Sequence, residues 1–121
     1  AKGIAAAHGL EAQVTIREGF PVTVNDARAV DLAAGLSADL FGPQSFQHLD
    51  HPIMGAEDFA YVLEKVPGAM LFLGFAPQGS DWQSCCGIHS PRMMLDESVL
   101  PRGVALLAGL AERFLSAGFS D

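Results

Sequence analysis

Ala12, Val14 and Ile16 alternate with Gln13, Thr15 and Arg17. This period of two predicts a strand with one buried face. Ahead of it the Ala-rich run from Ala1 to His8 ends at Gly9, a residue suited to a helix C-cap. The chain therefore opens on what reads as the last turns of a helix, as expected of part of a longer polypeptide. Gly19-Phe20-Pro21 ends the strand, and Val22-Thr23-Val24 continues as an extended link. Asn25 or Asp26 can cap the next helix by accepting a backbone N–H. That helix is predicted over Ala27–Leu40, with Val30, Ala33, Leu36 (or Ala34) and Leu40 on its inner face. Gly42-Pro43 stops it.

A polar stretch from Gln44 to Asp50 leads to His51-Pro52-Ile53-Met54-Gly55. A third helix is predicted from about Ala56 to Val66, because Phe59, Val62, Leu63 and Val66 fall at helical spacing. Pro67-Gly68 breaks it. Ala69 to Phe75 is then continuously apolar, and its length and bounding turn residues predict a strand buried on both faces. Pro77 to Ser90 is a polar loop. Asp96 or Ser98 caps a last helix, which tolerates Pro101 in its first turn. Val104, Leu107, Ala111, Phe114 and Leu115 give that helix an apolar stripe. Helices around a buried strand make an α/β pattern. There is no internal repeat or low-complexity tract.

Composition sharpens this picture. Half of the 121 residues are hydrophobic, and mean hydropathy is +0.27. A small body has much surface to cover with polar groups, so a chain this apolar is expected to cover some of its surface with a missing segment or a partner. The net charge is −7, with few, scattered Lys and Arg. That argues against nucleic acid, whose phosphates need clustered positive charge, and against an anionic membrane surface. No apolar run reaches the ~20 residues needed to span a bilayer, and the N-terminus carries no signal pattern; a cytoplasmic location is expected. Cys85 and Cys86 are adjacent. Neighbouring cysteines close a strained ring, so reduced thiols lining a loop are expected, with a redox or nucleophilic thiol as a competing reading.

Functional groups of α/β proteins gather beyond the C-terminal ends of strands. The loop after Phe75 is such a place, and it delivers His89 just ahead of Ser90-Pro91. Proline stiffens the chain there, which suits a metal ligand. Glu57 and Asp58 have two readings: negative charge at a helix N-terminus, or a carboxylate pair beside a catalytic centre. His48 and His51 would pair on a metal only if their segment were helical. Asp50 and Pro52 argue against that, so both read as solvated, as does His8.

Taken in order, the motifs are Pro21-Val22-Thr23-Val24-Asn25-Asp26, Pro52-Ile53-Met54-Gly55-Ala56-Glu57-Asp58-Phe59-Ala60, Val66-Pro67-Gly68-Ala69, Phe72-Leu73-Gly74, His89-Ser90-Pro91-Arg92, Asp96-Glu97 and Leu100-Pro101-Arg102-Gly103-Val104-Ala105. This ordered set resembles the C-terminal part of the zinc-dependent metallo-amidohydrolase and peptidase family that includes hippurate hydrolase, aminoacylases and plant hydrolases of auxin–amino acid conjugates. The resemblance is weakest from about Ala38 to His51 and over Gln78–Ile88.

The resemblance implies an α/β zinc-peptidase-like catalytic domain interrupted by a smaller lid domain. Residues 1–21 would be the last helix and strand of that lid, residues 22–121 the C-terminal portion of the catalytic domain, and Val22 to Asn25 the hinge between them. It implies two divalent metal ions, zinc or sometimes manganese, with His89 as a metal ligand and Gly55, Glu57 and Asp58 lining the site. The reaction implied is hydrolysis of the amide of an N-acyl amino acid or small peptide by metal-activated water. The general base and the remaining ligands would lie in a missing N-terminal part, so the chain alone is expected to be inactive. A homodimer through the lid is common in the family. Two features depart from its pattern: Met93-Met94-Leu95 stands where relatives usually carry an aromatic, and Cys85-Cys86 is foreign to it. The alternative to an enzyme fragment is a non-catalytic α/β module for binding or assembly.

Overall fold

The computed structural model describes residues 1–85 and 87–119. Among them the regular elements are helical: α1 (Lys2–Ala7), α2 (Ala27–Phe41), α3 (Ala60–Leu63) and α4 (Leu100–Ala117), the last entered through a 3-10 turn at Glu97–Val99. The α1 helix ends as its sequence predicts. Gly9 N–H donates to Ala6 C=O at 3.0 Å and Leu10 N–H to Ala5 C=O at 2.9 Å. This paired closure needs a left-handed residue between them, and Gly9 supplies it at φ 68°. Among the described residues no contact joins α1 to another helix.

Asp26 starts α2 by accepting Arg28 N–H at 2.9 Å, and Gly42 ends it at φ 97°. The inner face of α2 is Ala33, Leu36 and Ser37, all buried, whereas Leu40 is 46% exposed. α4 packs across this face. A side-chain carbon added at Gly109 would lie 2.9 Å from Leu36 Cδ2, so the glycine is what lets the two helices approach. Ser37 Oγ meets Ser45 Oγ at 2.8 Å, and Ser45 Oγ also donates to Ser37 C=O at 2.9 Å. These bonds satisfy the one buried polar side chain of α2. The exposed Arg113–Asp39 pair, at 2.7 Å, adds little.

The α/β expectation is not met in this chain: among the described residues there is no strand. A strand needs its N–H and C=O groups paired by a neighbour, and among the described residues neither 12–17 nor 69–75 is paired into a sheet. The 69–75 run is instead tied at its two ends. Asn25 presents its side-chain amide to the backbone of Met70, and Asp96 N–H donates to Phe75 C=O at 2.8 Å. The third helix is also shorter than predicted, Ala60–Leu63 rather than Ala56–Val66, although successive turns run on to Val66.

The largest departure is in α4. Much of its predicted inner stripe is bare: Val104 is 67% exposed, Leu107 70% and Leu115 84%, whereas Phe114 meets the Phe119 ring with centroids 4.7 Å apart. On the covered face Gly103 approaches Leu73 of the 69–75 run and Gly109 approaches Leu36 of α2, and Leu110 and Phe114 line one cavity with Ala29, Leu32 and Ala33. The helix is thus apolar on two faces, the mark of a helix meant for burial, and covered on one. The whole chain presents 10045 Å² of surface; a compact monomer of this mass presents about 6,200 Å². No helix among the described residues is long and apolar enough to cross a membrane.

Candidate functional site

The loop 76–95 leaves the apolar run at Phe75 and returns at Asp96, and the Asp96–Phe75 backbone bond closes its neck. The Asp96 carboxylate accepts Ser98 N–H at 2.9 Å, capping the 3-10 turn that leads into α4. This bonding to Ser98, reinforced by the charge of Arg102, holds the Asp96 carboxyl below its ordinary value near 3.8.

Within the loop, backbone and short polar side chains make a series of turns. Ser80 N–H donates to Pro77 C=O at 3.0 Å, and Cys85 N–H to Asp81 C=O at 3.2 Å. Ser84 Oγ donates to the Asp81 carboxylate. Cys85 is disulfide-bonded, which corrects the expectation of a reduced thiol there; Cys86 lies outside the described residues.

His89 occupies the third position of a turn closed by Ser90 N–H to Gly87 C=O, 3.1 Å. Its φ is 70°, the one positive value outside glycine among the described residues. Turns of type II require such a value at this position, and histidine tolerates it better than most residues. Ser90 then opens the next turn. Its C=O accepts Met93 N–H at 3.0 Å, and its Oγ accepts Arg92 N–H at 3.1 Å. Two back-to-back turns thus fix the backbone on both sides of His89 and leave its imidazole exposed. Sequence reasoning assigned the stiffness to Pro91. Ser90 does as much, and its hydroxyl two residues ahead of an N–H is the signal that marks it.

Glu57 is half-buried, and its Oε1 accepts Phe59 N–H at 3.0 Å. It therefore ties down the turn that starts α3. Asp58 and Gly55 are exposed; Asp58 C=O accepts Tyr61 N–H at 3.0 Å. His89, Glu57 and Asp58 do not converge: no group of three His, Cys, Asp or Glu among the described residues could hold a metal ion. His48 and His51 are exposed, and His48 stands edge-on to the Phe46 ring at 5.3 Å.

The family model for peptidase family M20/M25/M40 matches residues 3–113. The IAA-amino acid hydrolase ILR1-like 2 of Arabidopsis thaliana is 35% identical over 115 residues, 92% of this chain and 25% of that protein. The N-acetyldiaminopimelate deacetylase of Streptococcus pneumoniae is 35% identical over 117 residues, 93% of this chain and 28% of that protein. Hippurate hydrolase of Campylobacter jejuni is 29% identical over 114 residues, 94% of this chain and 28% of that protein. No solved structure matches the chain. The chain spans about a quarter of the length of the curated relatives it matches. A family-model match that spans residues 3–113 makes this chain a member of peptidase family M20/M25/M40.

Proposed function

We propose that this chain is the C-terminal portion of a metal-dependent amidohydrolase that cleaves the amide of N-acyl amino acids or small peptides. In this reading residues 1–21 end a lid domain and residues 22–121 complete the catalytic domain. The observation that carries it is the family match, to hydrolases about four times as long. The bare second face of α4 supports the same reading, since the missing part would cover it.

His89 is the metal-binding group in this proposal. Its exposed imidazole on a fixed turn suits a zinc or manganese ligand, while Gly55, Glu57 and Asp58 would line the site. A bound pair of divalent ions would polarise the scissile carbonyl and acidify a water. This chain's share is to hold one imidazole in place. A zinc site needs about three protein ligands with a position left open, so the 121-residue chain is inactive without the rest.

The test begins with the reading frame upstream of Ala1, which should supply an Asp- or Cys-x-His motif and then a Glu-Glu pair. The full-length protein should bind metal stoichiometrically and hydrolyse N-acyl amino acids. His89→Asn should lower metal affinity and turnover by about 10-fold or more. Full metal content and activity in that variant would remove His89 from the site. A full-length protein with no tight metal site would favour the binding-module alternative.

A further inference from the structure

The loop 76–95 folds back on itself just ahead of the His89 turn. Cys85 N–H donates to Asp81 C=O at 3.2 Å, which brings residues 81–85 round in a turn of their own. The carbonyl of Trp82, inside that turn, lies against Gly87: a side-chain carbon added at Gly87 would stand 3.4 Å from it. Gly87 C=O accepts Ser90 N–H and so closes the turn that holds His89. The backbone of Trp82 and the His89 turn are therefore neighbours, with Gly87 between them.

Trp82 is the one tryptophan of the chain, and it is 49% exposed. Among the described residues its indole meets no other ring and its N–H donates to no acceptor. An indole offers a broad apolar face and one donor at its edge, so a half-bare one has area for a ligand. The charge next to it is already engaged, since the Asp81 carboxylate accepts Ser84 O–H. Residues 78–88, which carry Trp82, are also where the chain least resembles its family, whereas His89-Ser90-Pro91 belongs to the motifs that carry the resemblance. A shared ligand for the chemistry, abutted by an aromatic of the chain's own, is an arrangement for choosing among substrates of one reaction.

We propose that Trp82 is a specificity-determining residue: its indole forms a wall of the substrate pocket beside His89 and packs on an aromatic ring of the N-acyl amino acid, an inference that rests on the amidohydrolase reading. The ring is carried by the acyl group or by the amino acid side chain. Ring pairs add to the attraction of the apolar area they bury. Trp82 therefore acts through substrate affinity and leaves the metal and the bond-breaking step untouched.

Matched substrates of the full-length, metal-loaded protein test it: N-benzoylglycine against N-acetylglycine, and N-acetylphenylalanine against N-acetylalanine. The native protein should favour the aromatic member of at least one pair by about tenfold or more in kcat/KM. Trp82→Ala should erase that preference by raising KM for the aromatic member, with kcat, metal content and the small member unchanged. Trp82→Phe keeps a ring and should keep most of the preference. A native protein without the preference, or a preference that survives in Trp82→Ala, would overturn the proposal. So would equal losses on both members of the pair, which would make Trp82 a structural residue. A titration with benzoate reads the same contact without turnover, and it decides if Trp82→Ala does not fold. Benzoate should change the tryptophan emission of the native protein and not that of Trp82→Phe; equal responses would overturn the proposal. That titration stands even if the full-length protein hydrolyses no amide, and hydrolysis in which Trp82 has no part leaves the amidohydrolase reading intact, so either can fail without the other.

Discussion

The α2–α4 pair and the 69–75 run have similar hydrophobic credentials and different fates. Each was expected to be part of one α/β layer. α2 and α4 form to within a residue or two of their predicted bounds, while 69–75 forms no strand. A helix pairs its own N–H and C=O groups, so it needs a neighbour only for its side chains. A strand needs a neighbour for its backbone. A segment without a neighbouring strand therefore forms no sheet, while helices stand even when they are poorly covered. The loop that carries His89 inherits this weakness, since it is sprung from the end of the unpaired run.

The sharpest way to break this comparison is amide exchange along the chain. Amides of residues 33–37 should exchange slower than those of residues 71–74 by about 100-fold or more; equal rates would mean that the run is paired after all. Next in size is Leu36→Ala. Leu36 is 5% exposed and packs on Gly109, so its loss should cost about 2–4 kcal/mol and collapse the helical signal in circular dichroism or a urea titration. A smaller effect is expected from acid. Bonding to Arg28 lowers the carboxyl of Asp26, and bonding to Ser98 lowers that of Asp96. Groups with a depressed folded pKa stabilise fully above their ordinary value, near 3.8, and lose that contribution as pH falls through the lower folded one. Helicity should thus be flat down to about pH 4 and fall below it, less steeply in Asp26→Asn. The smallest effect belongs to the bare face: Leu107→Glu should change the stability of this chain by no more than about 0.5 kcal/mol. In a longer protein that covers α4 the same change should cost several-fold more, so the ratio of the two measures how much of that face is in use.

The local chemistry was legible in the sequence. Gly9 and Gly42 end their helices, Asp26 and Asp96 cap, and His89 lies on a constrained loop, because each depends on residues within a few positions of itself. The side of α4 that is covered was not legible. Val104, Leu107, Ala111, Phe114 and Leu115 make the predicted stripe, yet Gly109 is what approaches Leu36 of α2, and the sequence does not say which of two apolar faces has a neighbour present. The Asn25–Met70 bond was missed for a related reason: its partner is a backbone group 45 positions away, invisible to any local pattern. Glu57 reads as negative charge at a helix N-terminus or as a site carboxylate, and its bond to Phe59 N–H just ahead of α3 was not foreseen by either reading.

The neck between Phe75 and Asp96 has one more consequence, for how this protein can change over generations. The bond makes the loop 76–95 a closed ring, so the two strands of chain entering and leaving it are held together whatever its length. Doubling such a loop adds only about 0.6 kcal/mol of closure entropy. Residues 78–82 at its far side are exposed and offer room for insertions. New side chains could be tried there, close in sequence to His89, without reopening the question of how the rest of the chain folds.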